Sequence, residues 1–173
     1  MHHNRHTHRL VLSSLFLALA LVLPFLTGQI QQFGSMLCPM HIPVLLCGFF
    51  CGWQWGLGVG LIAPVLRSAL FGMPQMVPMA VCMSLELAAY GAVCGLLHRR
   101  LPAGKGSVYA SLITAMIVGR LIWGAARLVF AGLNATPFTL SMFWAGAVTS
   151  AVPGIIVQLI LVPLLVITLD KQR

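Results

Sequence analysis

Six apolar runs, separated by turn residues or charge, decide what this chain can become. Crossing a hydrocarbon core about 30 Å thick takes about 20 mostly apolar residues in a helix. Runs of that kind extend over about Leu10–Leu26, Ile42–Trp53, Gly56–Phe71, Met79–His98, Val108–Leu133 and Phe143–Leu169. The second and third are short, which predicts tilting, kinking at Pro43 or Pro64, or shielding by neighbouring helices. The expected fold is all-α, an integral membrane bundle of six transmembrane helices.

Charge fixes the orientation. Arg5 and Arg9 precede the first run, Arg99, Arg100 and Lys105 lie between the fourth and fifth, and Lys171 and Arg173 follow the sixth. With six crossings these places share one side, and the positive-inside rule makes that side the cytoplasm. The opposite loops, about 27–41, 72–78 and 134–142, contain no Lys, Arg, Asp or Glu. The expected organisation is a cytosolic tail at 1–9, one membrane domain at 10–169 and a cytosolic tail at 170–173, in the cell (cytoplasmic) membrane with both termini inside. A signal peptide is the rival reading of the first run, but its apolar stretch is long and its removal would break the parity.

Composition agrees with the bilayer as solvent. Of the 173 residues, 60% are hydrophobic and 7% charged, against roughly 25% charged in soluble domains. A net charge of +8 raises the question of nucleic acid. A nucleic-acid binder needs a solvated basic face, whereas these cations are few and scattered between apolar stretches. The five cysteines form no Cys-x-x-Cys pair and lie mostly inside apolar runs, where Cys behaves as a small hydrophobe; no disulfide or metal site is expected. The four histidines within the first eight residues leave two readings, a solvated tail and a metal-binding tract.

Four charges lie where the chain is otherwise greasiest: Arg67, Glu86, Arg120 and Arg127. A charge in hydrocarbon is expensive unless it is paired or faces a polar cavity. Three arginines against one glutamate therefore suggest a site that favours an anion. On the fifth run Met116, Arg120, Trp123, Arg127 and Asn134 share one helix face. Two arginines with an indole between them could grip a carboxylate or phosphate while a ring stacks on Trp123. In the alternative, Arg120 pairs with Glu86 as structural glue and Arg127 snorkels outward. On the fourth run Met79, Met83, Glu86 and Tyr90 form a stripe, and Glu86 needs a cationic partner or a proton. Arg67 either snorkels or caps the same cavity.

The outer loops carry uncharged polar residues, among them Gln32, Gln75 and Asn134. Proline within 34–43 and 72–78 reads as ordered lid loops, with His41 at the mouth of the second run as a ligand contact or a structural histidine. Phosphate-binding, zinc-protease and nucleophile-elbow motifs are absent from the sequence, and a single embedded acid is thin equipment for catalysis. No catalytic or metal-binding residue is assigned, and the chain is expected not to be an enzyme.

The run Pro39-Met-His-Ile-Pro-Val-Leu-Leu-Cys-Gly48, then Gly52-Trp-Gln-Trp-Gly-Leu-Gly-Val-Gly60, then Phe71-Gly-Met-Pro74 resembles the substrate-binding (S) components of energy-coupling-factor (ECF) vitamin transporters. Glu86-Leu-Ala, Tyr90-Gly, Gly119-Arg120 and Pro153-Gly-Ile-Ile-Val-Gln158 extend the match over nearly all the chain after Leu10. The resemblance implies a six-helix protein that binds one water-soluble vitamin or related micronutrient. It would hand the substrate to a transmembrane T subunit and two ATPase subunits, so ATP is used by the partners and no cofactor by this chain. It implies T-subunit contact through small residues of the first helix, here Ser14 and Ala18. It also implies a site built from the outer loops and outer halves of helices four to six, where Gln32, Gln75, Glu86, Arg120, Arg127 and Asn134 fall. His41 stands where some relatives carry an acid, so their substrates do not transfer.

The leading expectation is an S component for a small anionic or carboxylate-bearing, vitamin-like solute, a charge that pantothenate, folate-like and phosphorylated compounds all suit, with Gln32, His41, Arg67, Gln75, Met83, Glu86, Arg120, Trp123, Arg127 and Asn134 as candidate contacts. A stand-alone small-solute transporter or channel is the alternative, although 173 residues with no visible repeat leave little material for two gates. A membrane enzyme or a structural membrane partner is the third reading.

Overall fold

Glycine backbones in contact at the centre of the molecule set how its helices pack. The computed structural model describes residues 2–27, 39–102, 104–133, 139 and 152–170, and among them all regular structure is helical. The helices are α1 (His2–Thr27), α2 (His41–Cys51), α3 (Trp53–Phe71), α4 (Val81–Arg100), α5 (Lys105–Leu133) and α6 (Val152–Asp170), with a π-helical turn at Met76–Ala80 leading into α4. An all-helical membrane bundle is what the apolar runs predict.

Five stretches are long and apolar enough to cross a membrane: His6–Phe25, Trp53–Phe71, Met76–Arg100, Lys105–Leu133 and Val152–Leu169. The remaining helix, α2, has 11 residues. At about 1.5 Å per residue it is ~16 Å long, about half the hydrocarbon thickness. Residues 41–49 and 51 are all buried, so α2 is apolar all round and shielded by its neighbours rather than facing lipid. Helix α1 also runs back through residues 2–9, the stretch read above as a tail.

One residue, Gly52, joins α2 to α3, and its φ of 98° lies where L side chains are strained. A Cβ on Gly48 would sit 2.6 Å from the Gly91 carbonyl oxygen, one on Gly56 2.7 Å from that same atom, and one on Gly95 2.6 Å from the Gly48 oxygen. Helices α2, α3 and α4 therefore meet backbone to backbone, the close approach that small residues permit in lipid. Around them α1 packs on α2 and α3, α5 on α4, and α6 on α5 and α2. Arg9 of α1 and Arg99 of α4 line one cavity, so the start of α1 and the end of α4 lie at the same end of the bundle. Crossing parity and charge bias predict that arrangement.

Candidate functional site

The polar centre of the bundle forms where the truncated α2 begins. His41, its first residue, is 2% exposed. Counted from the basic end at ~1.5 Å per residue, Glu86 and Arg120 lie roughly 20 Å along their helices and His41 about 15 Å along α2. Three groups converge there on one atom, Glu86 Oε1. Arg120 Nη1 is 3.1 Å away, the Tyr90 hydroxyl donates to it at 3.0 Å, and His41 Nε2 stands at 3.7 Å. Glu86 itself is 2% exposed. At that depth a carboxylate is tolerated because a guanidinium and a phenol stabilise it.

Local sequence explains the convergence. Glu86 and Tyr90 are four residues apart, hence on one face of α4. Gly119 lets the Tyr90 ring lie directly on the backbone of α5, for its Cβ position is taken by ring atoms Cδ1 and Cε1. The next residue, Arg120, then reaches Glu86. Helix α2 opens with no side-chain cap at Met40, so its first N–H groups, and the positive end of its dipole, lie at the level of this cluster. Pro43 sits in that first turn, where its missing N–H costs no helix bond.

Trp123 is largely buried and packs with Cys82, Ala126 and Phe130, and the Arg127 guanidinium carbon stands 5.8 Å from the centroid of its ring. The indole therefore carries Arg127 on its surface, a contact that competes with stacking of a ligand ring on the same face. Arg67 is turned toward α1. Its Nη1 donates to the Leu21 carbonyl at 2.9 Å, and its guanidinium carbon lies 5.0 Å from the Phe25 ring and 5.9 Å from the Phe71 ring. Leu21 precedes Pro24 by three residues, close to where a proline loosens the helix ladder. Met83 is half-buried against the main core, and Gln75 is exposed with its carbonyl accepting the Ala80 N–H at 2.9 Å. Gln32 and Asn134 lie outside the described residues. Ser14 and Ala18 are both exposed, Ser14 Oγ donating to the Leu10 carbonyl at 2.9 Å.

Two buried polar residues stand outside the sequence-based candidates. The stripe on α4 places Tyr90 on the Glu86 face without giving it a role, and its bond to Glu86 spans one helical turn. Gln158 of α6 is 1% exposed and its Oε1 has no hydrogen-bond partner among the described residues. The available signal was a lone amide inside the run Ile155-Ile-Val-Gln-Leu-Ile160. Among the described residues no group of three or more His, Cys, Asp or Glu side chains is placed to hold a metal ion.

Residues 8–166 match the family described as ECF transporter, substrate-specific component. No curated protein matches the chain.

Proposed function

The chain belongs to the family of ECF transporter substrate-specific components, and from that premise we propose that it binds one small, water-soluble, vitamin-like anion. The solute would be delivered to a T subunit and two ATPase subunits for ATP-driven uptake across the cytoplasmic membrane. The observation that carries the anion is charge: on α5 two arginines, Arg120 and Arg127, stand against the single embedded carboxylate of α4, and that carboxylate is engaged by Arg120.

Within this reading the Glu86–Arg120 pair is the floor of the site. The Tyr90 hydroxyl holds the carboxylate oriented, and the uncapped start of α2 adds backbone N–H groups suited to an anion. Arg127, presented on the Trp123 ring, is the principal contact for the ligand's carboxylate or phosphate. Gln158 supplies an amide acceptor for a hydroxyl or N–H of the solute. Pantothenate-like compounds, with one carboxylate and several neutral polar groups, suit such a set. The exposed pair Ser14 and Ala18, on the outer face of α1, offers a small-residue surface for the T subunit.

Mass spectrometry of the small molecules retained by the purified protein tests the assignment. An anionic solute present at near one per chain is the expected result, and a cationic solute retained at that level contradicts it.

A further inference from the structure

At the basic end of the bundle, opposite the embedded charges, lies a cavity of about 190 Å³. Arg9 of α1 and His98 and Arg99 of α4 line it, together with Phe49, Phe50 and Val166. Its basic and apolar walls come from four helices. The whole chain has only two acidic residues. One is Glu86, bound to Arg120 in the polar centre, and neither is among the lining residues. The His98 ring stands edge-on to Phe49 with centroids 5.0 Å apart, and its Nδ1 is shut off from solvent with no hydrogen-bond partner among the described residues. Part of this basicity has an ordinary purpose, since cations in the last turn of α4 complement its dipole. That purpose accounts for Arg99 and Arg100 but not for Arg9, which comes from the first helix to the same cavity.

We propose that this cavity binds a phosphate-bearing anionic group. Two arginines and a histidine line a space large enough for a phosphate ester, with Arg9 and Arg99 exposed to solvent at its rim. Guanidinium recognises phosphate by paired charge-assisted hydrogen bonds. The cavity sits at the end that the positive-inside rule places in the cytoplasm, at the level of lipid headgroups. Basic pockets between helices at that surface suit anionic headgroups, and Phe49, Phe50 and Val166 offer apolar walls for the glycerol and upper acyl carbons. Bound there, the group would tie the start of α1 to the end of α4. This site is separate from the anion site proposed for the solute.

Native mass spectrometry on the intact protein, presented with equal amounts of phosphatidylglycerol and phosphatidylcholine in detergent, tests the lipid source. A thermal melt with inorganic phosphate or glycerol 3-phosphate tests the soluble source. The lipid source predicts at least about tenfold more retained phosphatidylglycerol than phosphatidylcholine, falling about fivefold or more in the Arg9→Gln, Arg99→Gln double variant. Arg100→Gln, outside the cavity, should retain the preference, and Arg9→Lys with Arg99→Lys should keep most of it if the double variant's loss is one of charge and not of folding. A phosphate-dependent rise in melting temperature that the Gln pair abolishes, without a lipid preference, assigns the site to a soluble phosphate. Equal retention of the two lipids with no phosphate-dependent shift overturns the proposal, as does an equal loss in the Arg100→Gln protein.

Discussion

Arg120 Nη1 lies 3.1 Å from Glu86 Oε1, and the pair joins α5 to α4 deep within the membrane domain. Both the embedded acid and its guanidinium depend on this contact. Removing one partner of a buried pair leaves an uncompensated charge, a cost of about 3–5 kcal/mol. Glu86→Ala is therefore expected to destabilise the protein by about 3 kcal/mol in unfolding measured in mixed micelles. Replacing both residues by apolar ones, Glu86→Leu with Arg120→Met, should recover most of that stability while abolishing ligand binding. A double variant no more stable than Glu86→Ala would show that the pair is not the source of the loss.

The meeting of α2, α3 and α4 makes a second prediction. A Cβ on Gly56 would press on the Gly91 carbonyl, backbone against backbone, while one on Gly58 would meet nothing within 4 Å. Overpacking of this kind costs about 1–3 kcal/mol or more because no side chain can swing aside. Gly56→Ala should lose most of its monodisperse material in size-exclusion chromatography, and Gly58→Ala should match the parent.

Gly119 has a narrower consequence. An added methyl group there meets the Tyr90 ring rather than backbone, so the ring can move, but its hydroxyl then leaves Glu86 Oε1. Gly119→Ala should remain folded with modest loss of stability and bind ligand several-fold more weakly. Tyr90→Phe, which removes the hydroxyl without moving the ring, should reproduce part of the binding loss. Its hydrogen bond to a carboxylate is worth about 1.5–3 kcal/mol.

Arg67 reaches Leu21 and two phenylalanine rings on the contact between α1 and α3. Arg67→Gln should cost about 1–2 kcal/mol of stability through the lost hydrogen bond and ring contacts. Ligand affinity should stay within about twofold of the parent, as titration calorimetry would record. A large loss of affinity with stability unchanged would move Arg67 into the binding site.

Much of this architecture can be read from residue patterning. Apolar runs report the helical membrane bundle because hydrocarbon leaves a helix as the way to satisfy the backbone. The Glu86–Arg120 pairing is legible for the same reason, since one embedded acid has few ways to be stabilised. The truncation of α2 is harder to see. A helix buried on every side shows no amphipathic period, so its run does not reveal how far it reaches. The meeting of His41 with Tyr90 and Glu86 is invisible locally, because it depends on how α2 packs on α4. Gly119 shows why: its small size is plain in the sequence, but which ring occupies the space is a tertiary fact.

Arg127 is where the anion-binding account is most exposed. Its guanidinium carbon stands 5.8 Å from the centroid of the Trp123 ring. The direct measurement is equilibrium titration of the co-purified solute, once identified, into ligand-free parent and Arg127→Gln protein. Loss of one charge-assisted contact, about 1.5–3 kcal/mol, predicts an affinity at least about tenfold weaker in the variant with its folding intact. An unchanged dissociation constant would contradict the account.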